Sequence, residues 1–335
     1  MFNYFLIFFL FFSLALVLLS KNNDLLVDYK LENHKRYTSK LKSHSIGGTL
    51  LLFFLYYNYI FISPDYVLLV FLTFIYLIGL LSDLKKLNSI SLRFFCQLIF
   101  VVIFVHILNL EINYTRIELL DRILENNLIN IFFVSFCLMV LINGGNFIDG
   151  LNGLILKYNI IIYLMIFFYF GEYFVIDEKF LINLITVLTI ILILNLSGYL
   201  YMGDSGAYSL SLFTGIYLIN FSENNPSISP YLIILFLWYP CFELLFSMIR
   251  RLLKKNKTYK PDTKHLHQLI YSFLKPKIKN SLTVHMFTTS VINIYSLVGF
   301  IIALNFIYYS GIIITIIIFN ILAYLSIYKF FTKKK

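Results

Sequence analysis

Apolar runs of roughly 20 residues recur along the whole chain, each long enough to cross a bilayer as a helix. In hydrocarbon no water satisfies a backbone N–H or C=O, so such a chain is confined to segments whose hydrogen bonds close internally. Eleven spans are predicted, at about 2–20, 46–62, 66–82, 94–110, 128–143, 158–175, 180–197, 206–221, 231–249, 284–307 and 311–329. Gly171, Gly198 and Gly299, Pro64, Pro226 and Pro230, and short charged stretches punctuate them. Phe2 to Leu19 lacks the basic n-region and small-residue cleavage site of a signal peptide and is expected to be the first permanent span. Only 13% of residues are charged, about half the share of a soluble domain. The expected fold is an all-α polytopic membrane protein, a bundle of about 11 (10–11) transmembrane helices forming one domain over 1–335. Cys96, Cys137 and Cys241 fall inside apolar runs without a Cys-x-x-Cys pair and read as small buried residues, not disulfides or metal ligands.

Charge fixes an expected orientation. Of the 27 Lys and Arg, all but Arg116, Arg122 and Lys179 fall in the loops of one side, which leaves 24 there. By the positive-inside rule that side is cytoplasmic, the N-terminus is outside and the C-terminus inside. The net charge of +10 then reflects topology and attraction to anionic headgroups. No nucleic-acid-binding motif accompanies the basic residues, so no nucleic-acid partner is expected.

Three polar blocks interrupt the hydrocarbon: Asn143 to Gly153, Tyr201 to Gly206, and Lys260 to His267. Charged groups at membrane depth are costly and usually kept for function. Asp83, Asp149, Asp204 and Asp262 each follow an inward-running span, so their helix ends can surround one cleft at the membrane–cytosol boundary. Asp24, Asp28 and Glu32, among lysines, read as solvated surface. Clustered carboxylates repel unless a cation joins them, and oxygen ligands near substrate phosphates suit Mg²⁺. Lys85, Lys86, Arg250, Arg251, Lys264, His265 and His267 stand opposite as counter-charges for a pyrophosphate. Arg250-Arg251 can equally be read as a positive stop after a span. His265 and His267 are two apart, do not share a helix face, and lack further zinc ligands nearby.

These blocks, in this order, resemble the polyprenyl-phosphate N-acetylhexosamine-1-phosphate transferases (glycosyltransferase family 4). The family's Asn-rich Asp-Gly block matches Asn143 to Gly153, its Met-Gly-Asp-Ser-Gly block Met202 to Gly206, and its Pro-Asp-Arg-x-His-x-His-His block Pro261 to Gln268. Gly47-Gly48, Gly79 to Asp83 and Arg250-Arg251 also match, so the resemblance covers about 46–268. It implies transfer of a sugar 1-phosphate from a UDP-N-acetylhexosamine to undecaprenyl phosphate, with release of UMP, by a multi-pass enzyme of the bacterial inner membrane whose active site is cytoplasmic. It implies Mg²⁺, with Mn²⁺ as a substitute, held by Asp204 and Asp149. Asp83 would be a base or positioning group beside the lipid phosphate. Asp149, His265 and His267 would be catalytic, and Asn143, Asn146, Asn152, Arg250, Arg251 and Lys85 would bind substrate. A homodimer in the bilayer is a further expectation.

The chain departs from the family pattern at several positions. Ser82 replaces the first of two paired acids, Asn152 the second Asp of its block, and Gln268 the last histidine. Glu243 stands where Asp is commoner, and His44-Ser45 replaces a Pro-Arg-like pair. These changes disfavour the peptidoglycan branch and fit enzymes that start O-antigen, enterobacterial-antigen-like or teichoic glycans. The alternative is a transporter or flippase for lipid-linked sugars, which predicts midplane charges and internal repeats. A scaffold would give no reason for four aligned acids.

Overall fold

The computed structural model describes residues 2–22, 44–171, 177–253 and 264–333. Among these residues the regular elements are helices: α1 (Phe2–Asn22), α2 (Gly47–Phe61), α3 (Tyr66–Asp83), α4 (Ile90–Ile107), α5 (Glu118–Leu124), α6 (Asn127–Ile148) and α7 (Leu154–Phe170) in the first half. Then come α8 (Glu178–Leu196), α9 (Gly203–Asn224), α10 (Pro230–Phe236), α11 (Trp238–Leu253), α12 (Leu266–Leu274), α13 (Ser281–Leu304) and α14 (Ser310–Lys333). The protein is an all-helical, multi-pass membrane protein. Six described helices (α3, α4, α6, α8, α13 and α14) are long and apolar enough to cross a membrane, and the bent pair α10–α11 makes seven. Each of the eleven predicted runs overlaps a helix or that pair.

The predicted single span over 231–249 is two helices that meet at 70°. Pro240 is the reason. It has no N–H to give the Phe236 carbonyl, and its ring crowds that turn, so the helix breaks just before it. The amide of Tyr239, freed at the break, donates to the Tyr158 hydroxyl at 3.4 Å.

Helix α9 is the hub. It packs against α2, α3, α6 and α10. Ser205, Ser209, Ser211 and Thr214 on it are buried. A helix walled by helices needs small side chains for close approach more than it needs an apolar surface. The hydroxyls of Ser209 and Thr214 donate back to the carbonyls of Ser205 and Leu210 at 2.8 Å, so the helix buries them satisfied.

Helices α3 and α6 both run antiparallel to α9. Gly79 lies against Ser205, with no room for a Cβ beside the Ser205 backbone, and Ser82 reaches Asp204. On the other flank Gly145 lies against Ser211 and Asn146 reaches Tyr208. The N-terminus of α2 joins the same end, since Gly47 N–H donates to the Tyr201 carbonyl at 2.9 Å. The C-terminal ends of α3 and α6 and the start of α9 are thereby gathered at one end of the bundle.

A methyl group at position 79 would have to push α3 off α9. Gly79→Ala is expected to destabilise the protein by about 1–3 kcal/mol, read as a lower melting temperature of the detergent-solubilised chain. An unchanged melting temperature would contradict the backbone contact.

Candidate active site

The site is built on the first turn of α9. A helix start leaves N–H groups without intrahelical partners and carries partial positive charge. Here a carboxylate from another helix caps it. Asp83 Oδ1 accepts from the Asp204 amide at 2.9 Å, and Oδ2 accepts from the amide and hydroxyl of Ser205 at 3.1 and 2.8 Å. Gly203, with φ of 71°, turns the chain into the helix, and a Cβ there would meet Asp83 Oδ2 at 2.6 Å. Three donors on one carboxylate hold Asp83 in place, which suits a positioning group.

Asp204 is partly exposed. Its Oδ2 accepts from Ser82 Oγ at 2.5 Å and from Arg93 Nη1 at 2.6 Å. Arg93 also donates to Ser82 Oγ, which ties α3, α4 and α9 together. Sequence reasoning counted Arg93 among cytoplasmic charges and missed this role. The signal was present: Arg93 and Gln97 are four apart in an otherwise apolar run and therefore share a face. Gln97 is buried and accepts from Asn143 Nδ2 at 3.5 Å.

Asn146, one turn on, donates to the Tyr208 hydroxyl at 3.4 Å. Tyr208 is one turn from Asp204, and Asp149 is three residues past Asn146, so both acids extend toward the same end of the α6–α9 pair. Asp204 Oδ1 engages no partner among the described residues. There, no three His, Cys, Asp or Glu side chains converge as a metal cage. Mg²⁺ does not need one, because one or two carboxylates suffice when substrate phosphates and water complete the octahedron. The half-covered Asp204 carboxylate fits that mode.

The strap 264–268 crosses the end of α6. Glu243, fully buried on α11, accepts from His265 Nδ1 at 2.9 Å, from the Tyr324 hydroxyl at 2.8 Å and from the Leu266 amide at 3.4 Å. Gln268, where the resemblance expects histidine, accepts from the His265 amide at 3.4 Å and so closes the start of α12. His267 is fully buried, and burial pushes its imidazole down to about 3, so the ring is neutral. Its Nδ1 lies 3.3 Å from the Tyr239 hydroxyl, while Nε2 has no partner and looks toward Gly150. Arg250 donates to the Lys264 carbonyl and the Tyr328 hydroxyl, both at 2.7 Å, and Arg251 donates to Ser247 at 2.8 Å and stacks over Phe147. Both arginines are buried and bonded, which is unlike a solvated positive stop.

Not every expected residue joins this group. Asn152 is buried below it, donating to the Asn195 carbonyl at 3.1 Å, and holds the α6–α7 turn on α8. Lys85 is exposed just past α3, with φ of 56°. Asp262 lies outside the described residues.

The stretch from α3 to α9 that carries Ser82, Asp83, Arg93, Asn143, Asn146 and Asp204 also matches a known family, since residues 66–222 fit the model of glycosyl transferase family 4. Over that stretch, just under half of its length, the chain is similar to that family. An undecaprenyl-phosphate alpha-N-acetylglucosaminyl 1-phosphate transferase of Thermotoga maritima is 32% identical over 69 residues. That alignment covers 21% of this chain and 22% of the relative. Thus about a fifth of the relative's length is spanned, and the strap lies beyond the family match.

Asp83→Asn would turn an NH₂ group toward amides that need an acceptor. It is expected to cost about 1–2 kcal/mol of stability, whereas Ser82→Ala, which removes one hydroxyl, should cost less. Thermal unfolding of both variants checks this, and equal melting temperatures would exclude the capping role.

Proposed function

We propose that the protein transfers an N-acetylhexosamine 1-phosphate from a UDP-sugar to undecaprenyl phosphate, releasing UMP and initiating a cell-envelope glycan of the O-antigen or lipopolysaccharide type. The observation that carries this reading is the meeting of Asp204, Arg93, Asn143 and Asn146 at one end of the bundle, around the helix start that Asp83 caps. The similarity to the Thermotoga maritima protein supports the acceptor, and the branch follows from Ser82, Asn152 and Gln268.

An oxygen of the lipid phosphate attacks the sugar-bearing phosphorus of the donor. That P–O bond forms as the bond to the UMP oxygen breaks, and UMP leaves with the electron pair, so no proton is needed for balance. A phosphate dianion is already nucleophilic, and the task is alignment and charge screening. Asp204, with Asp149, would hold Mg²⁺ or Mn²⁺, whose charge neutralises the pyrophosphate. Arg93, Lys85, Arg250 and Arg251 add positive charge on the same side. Asn143 and Asn146 orient the donor, and Asp83 keeps the first turn of α9, and with it Asp204, in place.

The same reading has eleven spans in a bacterial inner membrane, the N-terminus outside and the site cytoplasmic. A cysteine at Tyr114 should then react with an impermeant reagent in intact cells, and one at Lys277 only after permeabilisation. The reverse pattern would put the site on the wrong side for a cytoplasmic nucleotide sugar.

Membranes containing the chain, given radiolabelled UDP-N-acetylhexosamine and Mg²⁺, should yield a lipid-linked product. EDTA should abolish the yield, and Mg²⁺ or Mn²⁺ should restore it. Asp204→Asn should slow transfer roughly 10³-fold, and Ser82→Ala less than about 10-fold. Near-normal rates in Asp204→Asn would remove this residue from the site. Lipid-linked sugar moved but never formed would favour a flippase.

A further inference from the structure

Glu243 lies outside the family match and contacts none of the residues around Asp204 described above. It is a fully buried carboxylate met by donors from two other segments: His265 and Leu266 of the strap and Tyr324 of α14. A carboxylate accepts only, and three converging donors suit its ionised form. Burying a charge costs several kcal/mol unless its partners are well placed, so an arrangement like this marks a position where geometry has to be held. What it holds is the strap. His265 packs edge-on against Phe147 at 5.0 Å and stacks nearly parallel on His267 at 5.6 Å. His267 in turn directs its unpartnered Nε2 toward Gly150, beside Asp149. The bend at Pro240 carries α11 across the bundle end so that Glu243 meets the strap.

We propose that Glu243 is the positioning residue of this site: it fixes the tautomer and orientation of His265 and so seats the 264–268 strap, with His267, over the Asp149–Gly150 turn. With Nδ1–H donated to Glu243, the other ring nitrogen of His265 is set as the one that can face a ligand, as carboxylate–histidine pairs do at metal centres. Tyr324 brings the last helix into the site through the same carboxylate. The consequence for catalysis rests on the proposed function; the positioning does not.

The test uses the full chain in detergent with ¹⁵N-labelled histidine, His265 being assigned from the signal lost in His265→Asn. The wild type should show His265 with Nδ1 protonated. Glu243→Gln keeps the shape but loses the anionic acceptor, and should shift that signal toward the mixed-tautomer average. Tyr324→Phe, which spares the carboxylate, gives a smaller change in the same direction and serves if Glu243→Gln does not fold. In transfer assays Glu243→Gln should raise KM for the nucleotide sugar and lower kcat/KM by about 10- to 100-fold. KM for the lipid phosphate should stay the same, and Glu243→Asp should recover part of the loss. An unmoved His265 signal overturns the proposal whatever the activity, as does a variant whose folded fraction keeps both KM values. A wild type without transferase activity, but with a His265 signal that responds to Glu243→Gln, overturns the proposed function and leaves the positioning intact.

Discussion

The cap that Asp83 places on α9 is the interaction on which the site depends. A helix that starts inside a bundle, where water is scarce, must find acceptors for its leading N–H groups or lose several kcal/mol. The acceptor here comes from the last residue of α3, and it reaches because Gly79 lets the two backbones touch. Once α9 is seated, its periodicity does the rest. Asp204 faces Ser82 and Arg93, and Tyr208, one turn later, faces Asn146. The carboxylate that the resemblance makes a base or positioning group thereby also serves the architecture, and Asp204 lies beside it on the first turn of α9.

The other half of the site follows from a break in a helix. Pro240 turns α11 through 70° and aims its polar side at the strap. Glu243, Ser247, Arg250 and Arg251 then lie in the interior, where each finds a partner. The strap is held by three anchors of different kinds: the Glu243 carboxylate, the Arg250 guanidinium on the Lys264 carbonyl, and the Gln268 amide closing α12. Such buried networks hold shape when every member is satisfied. His267 Nε2, without a partner among the described residues, looks toward the Asp149–Gly150 turn.

Charge explains the substitution at position 82. An acid there, beside Asp83 and Asp204, would put three like charges within one turn of α9. With Ser82, the Arg93 guanidinium pairs with Asp204 alone, and the hydroxyl donates to Asp204 while accepting from Arg93. The serine therefore relays between cation and acid, a role that a count of acidic residues does not reveal.

What the sequence by itself determined was the helical class, the element order and the residues that carry charge into the bundle. In a bilayer, apolar length and polar interruption are strong signals, because unpaired backbone and stray charge are both costly there. Asp204, Asn143, Asn146, His265 and His267 were legible as polar punctuation next to helix ends. Three features were decided only in the tertiary structure. Asp83 became a cap because α3 ends against the start of α9, Asn152 turned to α8 to hold a turn, and Arg93 left the loop tally to pair with Asp204. Each depends on which face of a helix meets which neighbour. That is set by side-chain packing between residues from 43 to 121 positions apart, and no local pattern in the chain records it.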